Sequence, residues 1–339
     1  MNVESAYSSV VGPALILGIK QVNPLRLCCV AKISGYVAVL RPRFRQILQT
    51  RSHGHIGLPR ETAMRTLLAK AVFESWPFAF GHVSLMNALK PPSLPEGDQT
   101  ITLRRYGVRI QYDPTSYIGM YLHYGRLFEG QILRSIEAHL HPGGTFVDIG
   151  ANIGQHTLVA ATLVGAHGRV ISFEPGAKQR ARLMRNIEIN GLKNVDVRPY
   201  GLSRQAGLHE LFNINSLNDG QSTLAKPDKD KDYPSEIVQL RTLDEQAADV
   251  SSCVVKIDVE GAEMEVLQGA EGFIARTRPV MFIECIDEYL RRFGSSSAAL
   301  FDFLHDRRYQ LLSLKRVGFR KLWAPVARPV DCDLMAIPR

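Results

Sequence analysis

From Thr145 onward the chain alternates short apolar runs with amphipathic ones: "TFVDIG", "TLVAATLVG", "RVISFEP", "ARLMRNIEIN" and "VDVRPYGLS" follow in close succession. A strand that rejoins its sheet through a helix does so by a right-handed crossover, so this rhythm predicts an α/β fold of βαβ units in a parallel, doubly wound sheet. "SCVVKIDVE" and "PVMFIEC" extend the sheet as near-continuous apolar strands, the pattern expected where helices cover both faces. Between them, Ala262, Val266, Leu267, Ala270 and Ile274 share one helix face. Ser295 to Ser297 offer caps for a later helix carrying Leu300, Phe301 and Leu304. The last strands, "YQLLSL" and "CDLMAIP", are joined by a connection without helical period and are expected to pair antiparallel at the sheet edge. No internal repeat is present.

Ahead of this block, "QTITLRRYGVRIQYDP" alternates as a hairpin with Gly107 near its turn, and Phe128, Ile132, Ile136 and Leu140 form one stripe of a helix ended by "HPGG". Leu58 to Leu89 has helical spacing and stops at "KPPSLPEG". Two parts follow: a basic, helical extension with a linker over residues 1–98, and the α/β domain over 99–339. The polar run Asn213 to Glu236 is too long for an ordinary connection; it reads as a lid or substrate wall, with a solvated loop as the plain alternative.

Charge is unevenly placed. Of the formal +8, residues 1–60 carry +7, with eight basic side chains against Glu4. Such an arm suits an anionic membrane surface or nucleic acid, and its Arg-rich, acid-poor start also resembles a transit peptide, an over-extended gene start or a loosely docked extension. With little aromatic interleaving, a nucleic-acid partner is not expected. Five cysteines, an odd number without CxxC spacing, suggest neither a disulfide framework nor a zinc site and fit a reducing compartment, so the expected location is cytoplasmic, with peripheral membrane contact through the arm. The runs Val10 to Ile19 and Leu27 to Leu40 are cut by Lys20 and Lys32 and fall short of the roughly 20 residues of a membrane span.

"FVDIGANIGQHT" carries the functional signal. Ligands of open parallel sheets bind beyond the strands' carboxyl ends, usually beside the first strand. Asp148 and Gly150 end that strand; Gly150, Asn152 and Gly154 form a turn that brings backbone close to a ligand, and the following helix aims free N–H groups at a carboxylate. G-x-G-x-x-G is missing, which disfavours a dinucleotide, and the acid before the first glycine suits a ligand carrying an amino group. Glu174, 24 residues after Gly150, ends the second strand, where a carboxylate accepts from both ribose hydroxyls of an adenosyl group; Pro175 favours an exposed strand tip over a helix cap.

From about Leu103 to the end the chain resembles an S-adenosylmethionine-dependent methyltransferase of the FkbM type. The matching pieces are "VDIGANIGQHT", "FEP", "NIEINGLKNV", "TLD" at Thr242 to Asp244, "VVKIDVEGAEMEVLQGA" and "RPVMFIE". The Lys256 to Glu263 segment is the most specific of them. The resemblance implies a Rossmann-like class I methyltransferase fold with a seven-stranded sheet whose last strand is antiparallel. It also implies S-adenosylmethionine as cofactor and O-methylation of a hydroxyl on a sugar, lipid or polyketide-like product; the partner is then a small-molecule or glycan- or lipid-linked acceptor.

In that frame "KIDVEGAE" sits at a strand tip facing the methyl group. Asp258 is the leading candidate for general base or acceptor contact, followed by Glu260, Glu263 and Lys256. Structural roles stand beside these: a helix cap for Glu260, a first-turn acid for Glu263, ion pairing for Lys256. His156, after the glycine turn, is able in its neutral form to take a proton near pH 7. "YLHYGRLFEG" places His123 and Glu129 before the first strand, where the resemblance implies cofactor-side packing. Glu284, ending the fifth strand, and Asp287 are further candidates for substrate contact, whereas Asn190-Gly191 is a helix C-terminus signal. Asp258, Glu260 and Glu284 are hard oxygen donors, but no spacing insists on a metal and none is expected. A non-catalytic methyltransferase-like binding module and a nicotinamide-dependent reductase are the rival readings.

Overall fold

The computed structural model describes residues 94–124, 127–213, 222–226, 232–317, 320–327 and 331–339, all within the unit Glu61–Arg339. The helix expected over Leu58 to Leu89, nearly all of the 1–98 extension and much of the polar run Asn213 to Glu236 lie outside these residues. Among the described residues no helix is long and apolar enough to cross a membrane.

The hairpin is β1 (Gln99–Leu103) with β2 (Val108–Tyr112), paired antiparallel from Gln99 with Tyr112 to Leu103 with Val108. Helices α1 (Tyr117–His123) and α2 (Gly130–His139) follow; α2 buries Ile132 and Ile136 of the predicted stripe together with Leu133, while Phe128 and Leu140 lie outside it. Then β3 (Thr145–Ile149), α3 (Gln155–Val164), β4 (Arg169–Phe173), α4 (Ala177–Ile189) and β5 (Val195–Arg198) make two parallel crossovers. Eight of the ten α3 residues are buried, Gln155, His156 and Thr157 among them, so this helix lies inside the domain. At the end of α4, Asn190 caps the helix and Gly191 follows at φ +64°, as the sequence signals.

"VDVRPYGLS" is expected as one strand but divides at Pro199. Proline has no N–H for a ladder, and after it β6 (Tyr200–Leu202) leaves for a second sheet. That sheet holds β7 (Gly207–Asn213), β8 (Ser222–Thr223) and β9 (Ser235–Arg241) in the order β6-β9-β7-β8. After α5 (Leu243–Gln246), β10 (Val254–Ile257) re-enters the main sheet fully buried. The helix face from Ala262 to Ile274 is divided between α6 (Glu263–Gln268) and α7 (Glu271–Thr277). They break at Gly269, which lies so close to the Ser203 carbonyl that no Cβ fits. Last come β11 (Val280–Cys285), α8 (Asp287–Arg292), α9 (Ser297–Asp306) capped by Ser296, β12 (Tyr309–Val317), β13 (Arg320–Pro325) and β14 (Cys332–Pro338).

The main sheet runs β13-β12-β14-β11-β10-β3-β4-β5. Seven of these are the implied strands, with β14 antiparallel to β11; the eighth, β13, hairpins onto β12. "YQLLSL" and "CDLMAIP" do pair antiparallel, Leu311 opposite Ala336, yet the edge belongs to β13, whose charged start and proline end hide it as a strand. Strand order reverses at β3, which has β4 on one side and β10 on the other, both parallel. Ligand crevices form at that reversal.

Side-chain alternation then decides what reaches it. Val147, Ile149, Ile171, Phe173, Val255 and Ile257 point to one face and join the largest core cluster. Phe146, Val170, Val254 and Phe282 face α2 and α3. Two residues further along each strand, on that second face, stand Asp148, Ser172, Lys256 and Glu284. Apolar burial, worth about 1.5–3 kcal/mol per large side chain, thus carries the lower part of the face and leaves polar groups at its carboxyl end.

Candidate active site

The crevice at the strand ends is lined from one side by Glu174 and Pro175 at the end of β4, in the middle by Gly150 and Asn152 after β3, and on the other side by Lys256, Asp258 and Glu284. Tyr200, Ser222 and Leu224 of the second sheet region wall it, so the described part of the polar run does contribute to the wall.

The glycine turn is fixed by backbone bonds: Gly150 and Ala151 both donate to the Phe173 carbonyl, at 3.0 and 3.1 Å. Gly150 takes φ +83°, and a Cβ there would overlap the Asp258 carbonyl, so the turn closes only without a side chain. Gly154, φ +93°, starts α3 and packs against Leu183, beneath the turn instead of in the crevice. Glu174 binds the same turn. One carboxyl oxygen accepts from Asn152 N at 2.8 Å and the other from Gly176 N at 2.9 Å. Burial pushes its acid up to about 7, against the pull of those amides.

Asp148 lies under this floor. Its register partner on β10, Lys256, reaches the crevice from the same sheet face, whereas the shorter Asp148 stays beneath the turn, its Oδ2 accepting from Thr157 Oγ1 of α3 at 2.6 Å. Asp148 is not among the residues that line the crevice, and its Oδ1 is buried without a hydrogen bond. Burial raises its acid above the ordinary value, opposed first by the charge of Lys256.

Lys256 is the centre of the charged end. Its Nζ lies 2.6 Å from Asp258 Oδ2 and 3.5 Å from Glu129 Oε2, with only 6% of the side chain exposed. Burial works against the ammonium, but Asp258, Glu129 and Asp148 outweigh it and hold its pKa above normal. Glu129 is pushed up to about 8, by burial first, with Lys256 pulling it down and Asp258 pushing it up. His156 Nε2 stands 3.7 Å from Glu129 Oε2; burial, then Lys256, hold this imidazole well below its usual pKa, so it is neutral. Glu260 is raised to about 8 and Glu284 to about 11, each by burial and then by Asp258.

Glu263 does not line the crevice. Its Oε1 accepts from Val259 N and Gly261 N, both at 3.1 Å, which makes it the internal brace of the loop carrying Asp258 and Glu260. Asp287 is likewise turned away, accepting from Ser297 N and Oγ at 2.8 Å and pairing with Arg291. His123 packs edge-on against Tyr112 and Tyr124, away from the crevice. Among the described residues no group of three or more His, Cys, Asp or Glu is placed to hold a metal ion.

Backbone strain marks the same place. Glu129 at φ +48°, Asn152 at +50° and Glu260 at +55° all line the crevice in the left-handed region, which costs a non-glycine residue about 1–2 kcal/mol. Sequence reading missed what holds Glu129 there. The Gln155 side chain accepts from Phe128 N at 3.1 Å and donates to Phe128 O at 2.7 Å, clamping the segment before Glu129 to the start of α3. No local signal announces that bond; it joins parts 27 residues apart.

A reversal of strand order, a glycine turn after the first strand and an acid at the tip of the second define a doubly wound α/β domain with the crevice of a nucleotide- or nucleoside-binding fold. Within it, residues 148–311 match the family model described as "Methyltransferase FkbM domain". "Methyltransferase 1" of Beauveria bassiana (strain ARSEF 2860) is 29% identical over 145 residues, 37% of this chain and 57% of the relative; the match thus spans less than two thirds of that protein's length. The crystal structure of Methyltransferase FkbM from Methylobacillus flagellatus KT aligns over 65% of this chain and 52% of its own, with 16% identity and a TM-score of 0.37. The SAM-dependent O-methyltransferase from Thermotoga maritima aligns over 75% and 82%, with 14% identity and a TM-score of 0.36.

The residues present fit S-adenosylmethionine. Gly150 leaves a cradle that a Cβ would fill, Glu174 keeps free lone pairs beside the turn for ribose hydroxyls, and the opposite end is rich in carboxyls able to face a cationic group.

Proposed function

We propose that the chain transfers the methyl group of S-adenosylmethionine to a hydroxyl of a small-molecule, glycan or lipid-linked acceptor. The observation that carries this reading is that Glu174 and the Asp258–Lys256 pair, at 2.6 Å, open into one crevice with the glycine turn between them. Bound there, the cofactor supplies an electrophilic methyl group on a sulfonium. Gly150, Asn152 and Glu174 hold the adenosyl end. Asp258, oriented by Lys256, accepts the acceptor's hydroxyl proton and fixes its oxygen for in-line attack; such positioning supplies much of the acceleration in transfers of this kind. Tyr117, Phe128 and Tyr289 at the crevice give the acceptor apolar and aromatic contact. The basic residues of the first sixty, +7 in sum, suit an acceptor presented at an anionic lipid surface.

Incubation with methyl-labelled S-adenosylmethionine and a panel of polyhydroxylated acceptors, followed by S-adenosylhomocysteine formation, tests the reading. Turnover in the wild type and its loss in Asp258→Asn with donor binding retained is the expected result. Donor binding without turnover for any acceptor of the panel would favour the non-catalytic module.

A further inference from the structure

Carboxyl groups from separate elements meet at the end of the crevice opposite Glu174. Glu129 comes from the turn before α2, Asp258 and Glu260 from the loop after β10, and Glu284 from β11. Lys256 is the one Lys or Arg among the described residues that line the crevice. Glu129 Oε2 and Glu284 Oε2 are buried without a hydrogen-bond partner. So is Nε2 of His156, a crevice-lining side chain only 9% exposed. Other titratable groups pack around them: Asp148 beneath, Glu263 behind the loop, Asp333 of β14 opposite Glu284, and Tyr289 of α8. The cluster has two unsatisfied carboxyl oxygens and one shared cation, which is the complement of a positively charged ligand.

Resting on the cofactor reading above, we infer that Glu129, Glu260 and Glu284 around Lys256–Asp258 read the charge of the methyl donor. The cluster favours S-adenosylmethionine over S-adenosylhomocysteine, gives up a proton as the donor binds, and recovers one from the acceptor hydroxyl as the charge is spent. The balance closes. In the transfer the acceptor oxygen bonds to the methyl carbon, the broken S–C bond leaves its electron pair on sulfur, and the O–H proton passes to a cluster carboxylate. One proton has left to solvent at donor binding, so donor plus hydroxyl acceptor become thioether, methyl ether and one free proton.

Electrostatics agree with this geometry. Burial and mutual repulsion raise Glu129 and Glu260 to about 8, so near neutral pH both largely hold protons until a cation arrives to favour their charged forms. The product, with no charge on its sulfur, removes that support, the cluster reprotonates, and the product loses the attraction that held the donor.

Isothermal titration of the full chain with each ligand, in phosphate and in Tris, counts the protons exchanged. At about pH 7.5 the donor should release close to one proton more than S-adenosylhomocysteine, and below that pH its affinity should increase with pH, by up to about tenfold per unit. Glu260→Gln and Glu129→Gln, isosteric and separately placed, should each lower the proton count; the ligand's own amino group titrates alike for every variant. Equal proton counts for the two ligands, or counts unchanged in both variants, would overturn the inference while leaving the cofactor reading intact. No binding of either ligand would overturn both.

Discussion

The Lys256 ammonium stands 2.6 Å from the Asp258 carboxylate, both on one side of the β10 tip, where the strand runs out into the loop braced by Glu263. Lys256 is 6% exposed and Asp258 21%, so the pair is largely withdrawn from water. Removing one partner of such a pair leaves an uncompensated buried charge, at a cost of about 3–5 kcal/mol. Lys256→Met should therefore lower the urea midpoint strongly at neutral pH. Asp258→Asn, which keeps a hydrogen-bond acceptor, should cost less stability and nearly all turnover.

Stability should respond to pH in an unusual direction. Glu129 and Glu260 are raised to about 8 and Glu174 and Glu263 to about 7, mainly by burial, from an ordinary value of 4.5. Between 4.5 and those values the folded chain holds more protons than the unfolded one. Their contribution is complete below the unfolded value and is lost as pH rises through the folded ones. Ligand-free protein should thus melt several degrees lower at pH 8 than at pH 6, at roughly 2–4 °C per kcal/mol for a domain of this size. A melting temperature that climbs over that interval would contradict the burial assigned to these acids.

Gly150→Ala puts a methyl group into the Asp258 carbonyl at φ +83°. The backbone alone costs about 1–2 kcal/mol, and relieving the overlap must part the tips of β3 and β10. The variant should lose donor binding by calorimetry while keeping its far-ultraviolet dichroism.

Glu263→Ala takes the acceptor from the amides of Val259 and Gly261, both at 3.1 Å. Buried amides left unpaired cost about 1–3 kcal/mol each. Because Glu263 braces the loop and does not line the crevice, Glu263→Gln should restore most of the stability, and amide hydrogen exchange should rise at Val259 and Gly261 in the alanine variant alone.

The main sheet was legible because its strands are apolar runs of ordinary length with helix signals between them. Pro199, read as part of a strand, was the visible mark of the division that sends β6 into the second sheet. The edge strand β13 was not legible: a short charged segment at an edge needs no apolar alternation. In the site, the turn and Glu174 follow from local pattern, but the position of Asp148 follows from its register with Lys256, which pairing fixes and sequence does not. The Gln155 clamp on Phe128, which sets Glu129 over the crevice, is a contact between distant segments and has no local signature.

Calorimetric titration of S-adenosylmethionine into the wild type and Glu174→Ala is the most direct test. Charged hydrogen bonds contribute about 1.5–3 kcal/mol each, so loss of the ribose contacts predicts binding weaker by roughly 10- to 150-fold or more. Saturable binding by the wild type with that loss in the variant would support the adenosyl crevice. Equal affinity of the two proteins, or no binding by the folded wild type, would contradict it.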